Sequence, residues 1–200
     1  MRIIGQRITL RDEPQETGNR DFFRWRNLEE WDYYDEPWTP PPGQVSWEEW
    51  ECQRLEREKA LREPSMTSHV WQIDTVEGKH MGWVLYYDLD TQAGRATVGV
   101  CLPEEDTWGQ GYGTEAVRLL LGYMFHGMGL AEMRTGTWTG NVRMMRVAHK
   151  CGFVEIDRHP HDAEVTVRGE ALVIVQFALT RARWFAQESD IPSIDGGGLL

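Results

Sequence analysis

A chain of 200 residues, 40% hydrophobic and 26% charged, is long enough to bury one sizeable core and too apolar for a collagen-like or disordered polymer. Its net charge of −11 sets most of the surface against a polyphosphate backbone, and Cys52, Cys101 and Cys151, about fifty residues apart, match neither a zinc site nor a disulfide framework. No nucleic acid and no metal are expected as partners; with no apolar leader after Met1 and no unbroken run of eighteen apolar residues, a soluble cytoplasmic protein that engages no membrane is expected.

Alternation over Gln6–Arg11 predicts a short strand with one buried face. Asn19 or Asp21 is placed to cap a helix carrying Phe22, Phe23, Trp25, Arg26, Leu28 and Glu29. Four prolines between Glu36 and Gly43 fix the backbone of an ordered loop. Ser46, followed three residues later by Glu49, is a capping box that opens a helix reaching about Arg62, before Pro64.

The period then changes to two. His69–Thr75, His80–Tyr87 and Gly94–Leu102 alternate between turn-forming stretches, which predicts an antiparallel meander. Gly109, Gly111 and Gly113 introduce a helix through about Phe125 whose Ala116, Leu120 and Met124 share one face. Next come a strand over Glu132–Trp138, a helix over Asn141–Lys150, a strand over Gly152–Arg158, a polar loop over His159–Gly169 and a buried strand over Ala171–Leu179. A single domain over 1–185 is expected, with a flexible tail over 186–200 that is compatible with exchange between the subunits of a homodimer.

The stretch richest in chemistry is a strand ending Val100-Cys101-Leu102, an acidic loop, and Trp108-Gly109-Gln110-Gly111-Tyr112-Gly113-Thr114 running into a helix. Glycines let successive N–H groups turn toward one point, and the helix adds its own unpaired amides and positive dipole end, so the turn suits a pyrophosphate. A tight turn with a close helix contact accounts for the glycines equally well. Neither a Walker loop nor a Rossmann unit fits, for no Lys-Ser or Lys-Thr follows and the preceding strands are antiparallel.

Some thirty residues later Asn141 ends a strand, and one helix on, Lys150-Cys151-Gly152-Phe153 closes it. With Trp108–Ala116, in this order and at this separation, the chain resembles the GNAT superfamily of acetyl-CoA-dependent N-acetyltransferases over roughly residues 6–180, and within it the RimJ/RimL-like branch that acts on ribosomal-protein N-termini. The resemblance implies an α+β fold, a mostly antiparallel central sheet flanked by helices, and direct acetyl transfer from acetyl-CoA to a primary amine. It implies that the amides of Gly109, Gln110, Gly111, Tyr112, Gly113 and Thr114 hold the pyrophosphate, with Trp108 beside them in the cofactor-binding set, that Val100, Cys101 and Leu102 offer free backbone groups to the pantetheine arm, and that Asn141 orients that arm. Asn141 is equally suited to cap the following helix, and the two roles are compatible. Gly152 and Phe153 read as a helix-ending turn and a core aromatic.

Three positions depart from the family pattern. Ala148 stands where many members carry a proton-donating tyrosine, Met144 where a serine is usual, and Thr97 where this branch often has a strand carboxylate. No general acid or base follows from matching, so a non-catalytic acyl-CoA sensor or scaffold remains an alternative to the enzyme. The acceptor is open between a protein N-terminus and a cationic small molecule such as a polyamine or an aminoglycoside-like amine.

Residues 28–63 carry a net −7, and residues 25–50 hold five of the ten tryptophans. In the implied fold this region lines the acceptor side, so Trp31, Asp32, Tyr34, Asp35 and Trp38 are read as a cation-recruiting set, carboxylates beside aromatic faces. The competing reading makes Trp25, Trp47 and Trp50 core anchors of two amphipathic helices and Glu48, Glu49, Glu56 and Glu58 a solvated face. His126, His149, His159 and His161 lack metal-ligand spacing, and Cys101 reads as a small strand residue.

Overall fold

The computed structural model describes residues 1–12, 16–27, 31, 34–35, 37–38, 43–61, 68–161, 166–167 and 169–188. Strands β1 (Arg2–Ile4) and β2 (Ile8–Arg11) precede helices α1 (Glu16–Arg26) and α2 (Trp47–Leu61). The meander β3 (His69–Thr75), β4 (His80–Asp90) and β5 (Arg95–Cys101) leads into α3 (Tyr112–Gly122), which widens into a π-helical turn over Tyr123–Gly127. Then follow β6 (Glu132–Trp138), α4 (Val142–Lys150), β7 (Val154–Pro160), the small hairpin β8 (Thr166–Val167) and β9 (Glu170–Ala171), β10 (Val173–Thr180) and α5 (Arg181–Glu188).

Eight strands form one sheet in the order β1-β2-β3-β4-β5-β6-β10-β7, antiparallel at every junction except β5 to β6. On one face, α3 lays Ala116, Val117, Leu120 and Leu121 onto Ile8, Ile73, Val84, Val98 and Met133, all within 2% of full burial. On the other, Phe22 and Trp25 of α1 meet His80 and Trp83 of β4. Helices therefore cover both faces, because an amphipathic helix buries its apolar stripe only against a partner surface.

The capping box is formed as expected: the Glu49 N–H donates to Ser46 Oγ at 3.2 Å and the Ser46 N–H to Glu49 Oε2 at 3.0 Å. Gly152 ends α4 at φ +90° and Phe153 is buried. Other expectations need correction. The first helix begins at Glu16, so Asn19 and Asp21 lie inside it; the Asp21 carboxylate is spent on His80 Nδ1 at 3.0 Å rather than on a cap. Trp25 and Trp50 are buried, but Trp47 is 36% exposed, its ring stacked on Trp50. Helix α5 was not expected; it buries Trp184 against Phe125. Residues 189–200 of the expected tail, with Arg62 and Pro64, lie outside the described residues.

The parallel junction positions the site. Arg95, Ala96 and Thr97 pair with Glu132, Met133 and Arg134, and there the ladder stops, while β5 stays paired with β4 as far as Cys101 opposite Trp83. The Thr135 hydroxyl donates to the Val98 carbonyl at 2.8 Å, and the Trp108 indole N–H donates to the Leu102 carbonyl at 2.6 Å. Strand alternation turns Val100 to the same side as Val98 and Leu102, so its N–H and C=O face the gap between the diverging strands.

Gly82 allows this approach. It sits at the register shift between β3 and β4 with φ +152°, and a Cβ there would run into the Cys101 carbonyl oxygen. Gly82→Ala is expected to cost roughly 2 kcal/mol, from backbone strain and displacement of the β5 end. Urea unfolding measures it; an unchanged midpoint would remove the close approach as the reason for glycine.

Candidate functional site

The glycine turn is held from behind by a residue far away in sequence. The Arg7 Nη1 donates to the Gln110 carbonyl at 2.7 Å, its Nε to Glu115 Oε2 at 2.9 Å, and its backbone N–H to Glu115 Oε1 at 2.9 Å. The guanidinium also lies 4.9 Å from the Tyr112 ring centroid. Gly111 caps α3 in the left-handed region, φ +90°, and offers no side chain to its helix. The first helical bond runs from the Glu115 N–H to the Gly111 carbonyl, so Tyr112, Gly113 and Thr114 head the helix without intrahelical acceptors. Their donors and the helix dipole suit an anion.

The turn forms one wall of a cleft of about 240 Å³. Val100, Cys101 and Leu102 form its floor, and Asn141, Arg143, Met144, Arg146, Val147 and Lys150 of the α4 wall stand opposite. Trp31, Tyr34 and Asp35 close the end nearest α1. The apolar stretches of α4 and β5 thus meet a helix start and an acidic side chain in one groove, the combination of shape and few polar groups common in ligand sites.

Asn141 does two jobs here. Its Oδ1 accepts from the Met144 N–H at 3.0 Å, the helix cap, while its Nδ2 donates to the Tyr34 carbonyl at 2.9 Å. The Trp138 indole N–H reaches the same carbonyl at 3.1 Å. Tyr34 is thereby latched to the end of β6 and the start of α4. Trp31 is fixed by its own indole N–H, which donates to the Trp25 carbonyl at 2.6 Å, and its ring meets Trp83 edge to face.

The loop between β5 and the turn hangs on Glu104. Its Oε1 accepts from the Trp25 indole at 3.0 Å and from Arg24, and its Oε2 from Lys79 at 3.1 Å. Burial would raise this carboxyl, but the hydrogen bonds from Trp25, Arg24 and Lys79 outweigh it and hold the group down from its ordinary 4.5 to about 2. The Thr107 N–H and hydroxyl both donate to the Glu104 carbonyl, at 3.0 and 2.6 Å, which sets the approach to Trp108. Burial together with the Asp88 and Asp35 carboxylates raises the Tyr87 phenol. Tyr87 pairs across the sheet with Thr97, the position where the strand carboxylate is missing.

Of the residues singled out in the sequence, the cleft gathers Val100, Cys101, Leu102, Trp108, Gly109, Gly111, Tyr112, Gly113, Thr114, Asn141, Trp31, Tyr34 and Asp35. Gln110 is not among its walls; its side-chain N–H turns to the Asp106 carbonyl. Trp38 is not either, its ring lying 4.9 Å from that of His161. Asp32 lies outside the described residues. The sequence reading missed Arg7, Thr107, Arg143, Met144, Arg146, Val147 and Lys150 as site residues; the i, i+3, i+7 spacing of Arg143, Arg146 and Lys150 on a short helix was the one signal available for the last wall. Among the described residues, no three His, Cys, Asp or Glu side chains gather to hold a metal ion, and no helix is long and apolar enough to cross a membrane.

Residues 7–154 match the acetyltransferase (GNAT) domain model, and the chain belongs to the GNAT acetyltransferase family. The FsC-acetyl coenzyme A-N(2)-transacetylase of Aspergillus fumigatus is 26% identical over 119 residues, 56% of this chain; the chain spans about half, 50%, of that relative's length. Among solved structures, the spermidine N-acetyltransferase of Vibrio cholerae in complex with CoA and spermine superposes with a TM-score of 0.72 at 14% identity, over 89% of this chain and 98% of that one. RimL, a ribosomal alpha-N-protein acetyltransferase in complex with coenzyme A, gives 0.71 at 15% identity over 90% and 98%. At these identities the two structures share the fold.

The pH dependence of Glu104 is directly testable. A carboxyl held at about 2 in the folded chain stabilises it above the ordinary 4.5, and that contribution is lost as pH falls toward 2. The stability gap between wild type and Glu104→Gln is expected to be widest above about pH 5 and to narrow steadily below 4.5. Thermal unfolding across pH 2 to 7 reads it; a gap of constant width would assign Glu104 a packing role instead.

Proposed function

We propose that the chain transfers the acetyl group of acetyl-CoA to a primary amine that enters from the Trp31–Asp35 end of the cleft. The observation that carries this reading is the continuity of one groove from a helix start with no side-chain cap to the end of β5 beyond its last pair with β6. The amides of Tyr112 to Thr114 suit a diphosphate, and the Val100 N–H and C=O, turned to the gap between β5 and β6, suit the amide groups of a pantetheine arm lying along β5 as an added strand would. The residues therefore fit acetyl-CoA, which when bound would supply an activated thioester.

In this arrangement the Val100 N–H donates to the thioester oxygen as charge gathers on it during attack. Asp35 takes the proton. A lysine-like amine has a pKa of ~10.4, so it arrives as a cation and must lose a proton before its lone pair can attack. Thr97 has no group for that task, whereas Asp35 lines the cleft and acts on the phenol of Tyr87, which pairs with Thr97. As nitrogen bonds to the acetyl carbon, the carbon–sulfur bond breaks, and the second proton that leaves the nitrogen passes through solvent to the departing thiolate.

Asp35 and Trp31 line one cleft in a chain whose acidic surplus concentrates in residues 28–63, which favours a small polycationic amine as the acceptor over a protein N-terminus. The relation to a spermidine N-acetyltransferase points the same way, whereas the one to RimL points to a protein α-amine. A second reading, acyl-CoA binding without transfer, draws on Ala148, which is buried in the core and offers no hydroxyl. Thiol release from acetyl-CoA over a panel of polyamines, aminoglycosides and N-terminal peptides separates them. Turnover with polyamines is expected, and Asp35→Asn should lower kcat/KM by roughly 100-fold while leaving CoA affinity unchanged. Tight CoA binding with no turnover for any amine would establish the sensor.

A further inference from the structure

The cleft holds a cation for which the proposed transfer has found no use. Arg143 places its guanidinium carbon 3.7 Å from the Trp108 ring centroid and 4.0 Å from that of Tyr34, in the corner formed by two rings that meet edge to face. Its Nη2 is shut off from solvent and has no hydrogen-bond acceptor among the described residues. Buried charged donors are paired in nearly all proteins, since a missing partner costs the full desolvation of the group. Stacking keeps a guanidinium in place while leaving its in-plane N–H groups for a planar oxygen pair.

The surroundings say what the missing partner is. In a chain of net charge −11, the described residues that line the cleft include Arg143, Arg146 and Lys150 against one carboxylate, Asp35. The turn from Trp108 to Thr114 contains no basic residue, and Arg7 behind it is committed to the Gln110 carbonyl and Glu115. An anion at the turn thus meets amides on one side, with Arg143 set against the opening residue of that turn on the other.

We infer that Arg143 is a side-chain ligand for the diphosphate of coenzyme A, completing from α4 a cradle that the glycine turn builds from amides. The inference rests on the reading of the cleft as an acyl-CoA site. It makes Arg143 a specificity residue for the donor: it selects thioesters that carry a diphosphate over those that carry pantetheine alone.

Calorimetric titration of wild type, Arg143→Met and Arg143→Lys with CoA, 3′-dephospho-CoA and pantetheine tests this through binding rather than turnover. Arg143→Met is expected to weaken CoA and dephospho-CoA alike, by roughly 10- to 100-fold, and to leave pantetheine unchanged. Arg143→Lys, which keeps the charge and loses the fork, should recover part of the loss and serves if the methionine variant folds poorly. An equal loss for pantetheine would make Arg143 a prop for Tyr34 and overturn the assignment. A loss confined to CoA would move it to the 3′-phosphate and overturn it as well. Wild type and both variants binding CoA equally tightly would sink the Arg143 assignment alone, whereas a wild type that binds no CoA would take the acyl-CoA reading down with it.

Discussion

Three residue pairs hold β5 to β6 in parallel, and then the Thr135 hydroxyl takes the Val98 carbonyl where a further ladder bond would otherwise form. A sheet that stops pairing in its interior exposes backbone donors and acceptors that have to be satisfied by something. Trp108 claims one of them, the Leu102 carbonyl, and in doing so ties the start of the glycine turn to the end of β5. Val100 lies between the two claimed carbonyls. The divergence therefore sets both the width of the cleft and the groups that face it, and every other feature of the site is arranged around its edges.

Two long-range ion clusters keep those edges in place. Arg7 and Glu115 clamp the turn from the β2 side, and Glu104 gathers α1, the β3–β4 turn and the loop ahead of Trp108 at one carboxylate. Both act on backbone that would otherwise be a long loop between β5 and α3. Positioning of this sort matters at an acyl-transfer site because donors aligned before the reaction need no reorganisation during it.

What the sequence disclosed was local, and what it hid was distant. The capping box of Ser46 and Glu49, the meander and the turn at Gly111 are each set by residues within a few positions of one another, so their patterns survive without the fold. The membership of Val100, Trp108 and Asn141 in one cleft was legible because two motifs in a fixed order resemble a family. Arg7 escaped notice because its partners lie more than a hundred residues on, and Arg143 because its rings come from two remote segments. Trp38 and Gln110 were placed by adjacency to true lining residues, yet a loop turns its neighbours to different sides; Gln110 spends its side chain on Asp106. Helix α5 went unseen because its exposed arginines interrupt the apolar pattern that Trp184 and Phe125 complete across the core.

The latch on the acceptor segment grips a carbonyl. Trp138 and Asn141 both donate to the main-chain oxygen of Tyr34, an atom that every amino acid supplies. The anchor is consequently indifferent to the side chains around it, while Trp31, Tyr34 and Asp35 are the side chains that face the groove. A lineage carrying this fold is free to exchange the side chains of Trp31, Tyr34 and Asp35, one at a time, without loosening the anchor that holds their backbone, and a wall of the groove that varies on a constant mount is what such an attachment permits.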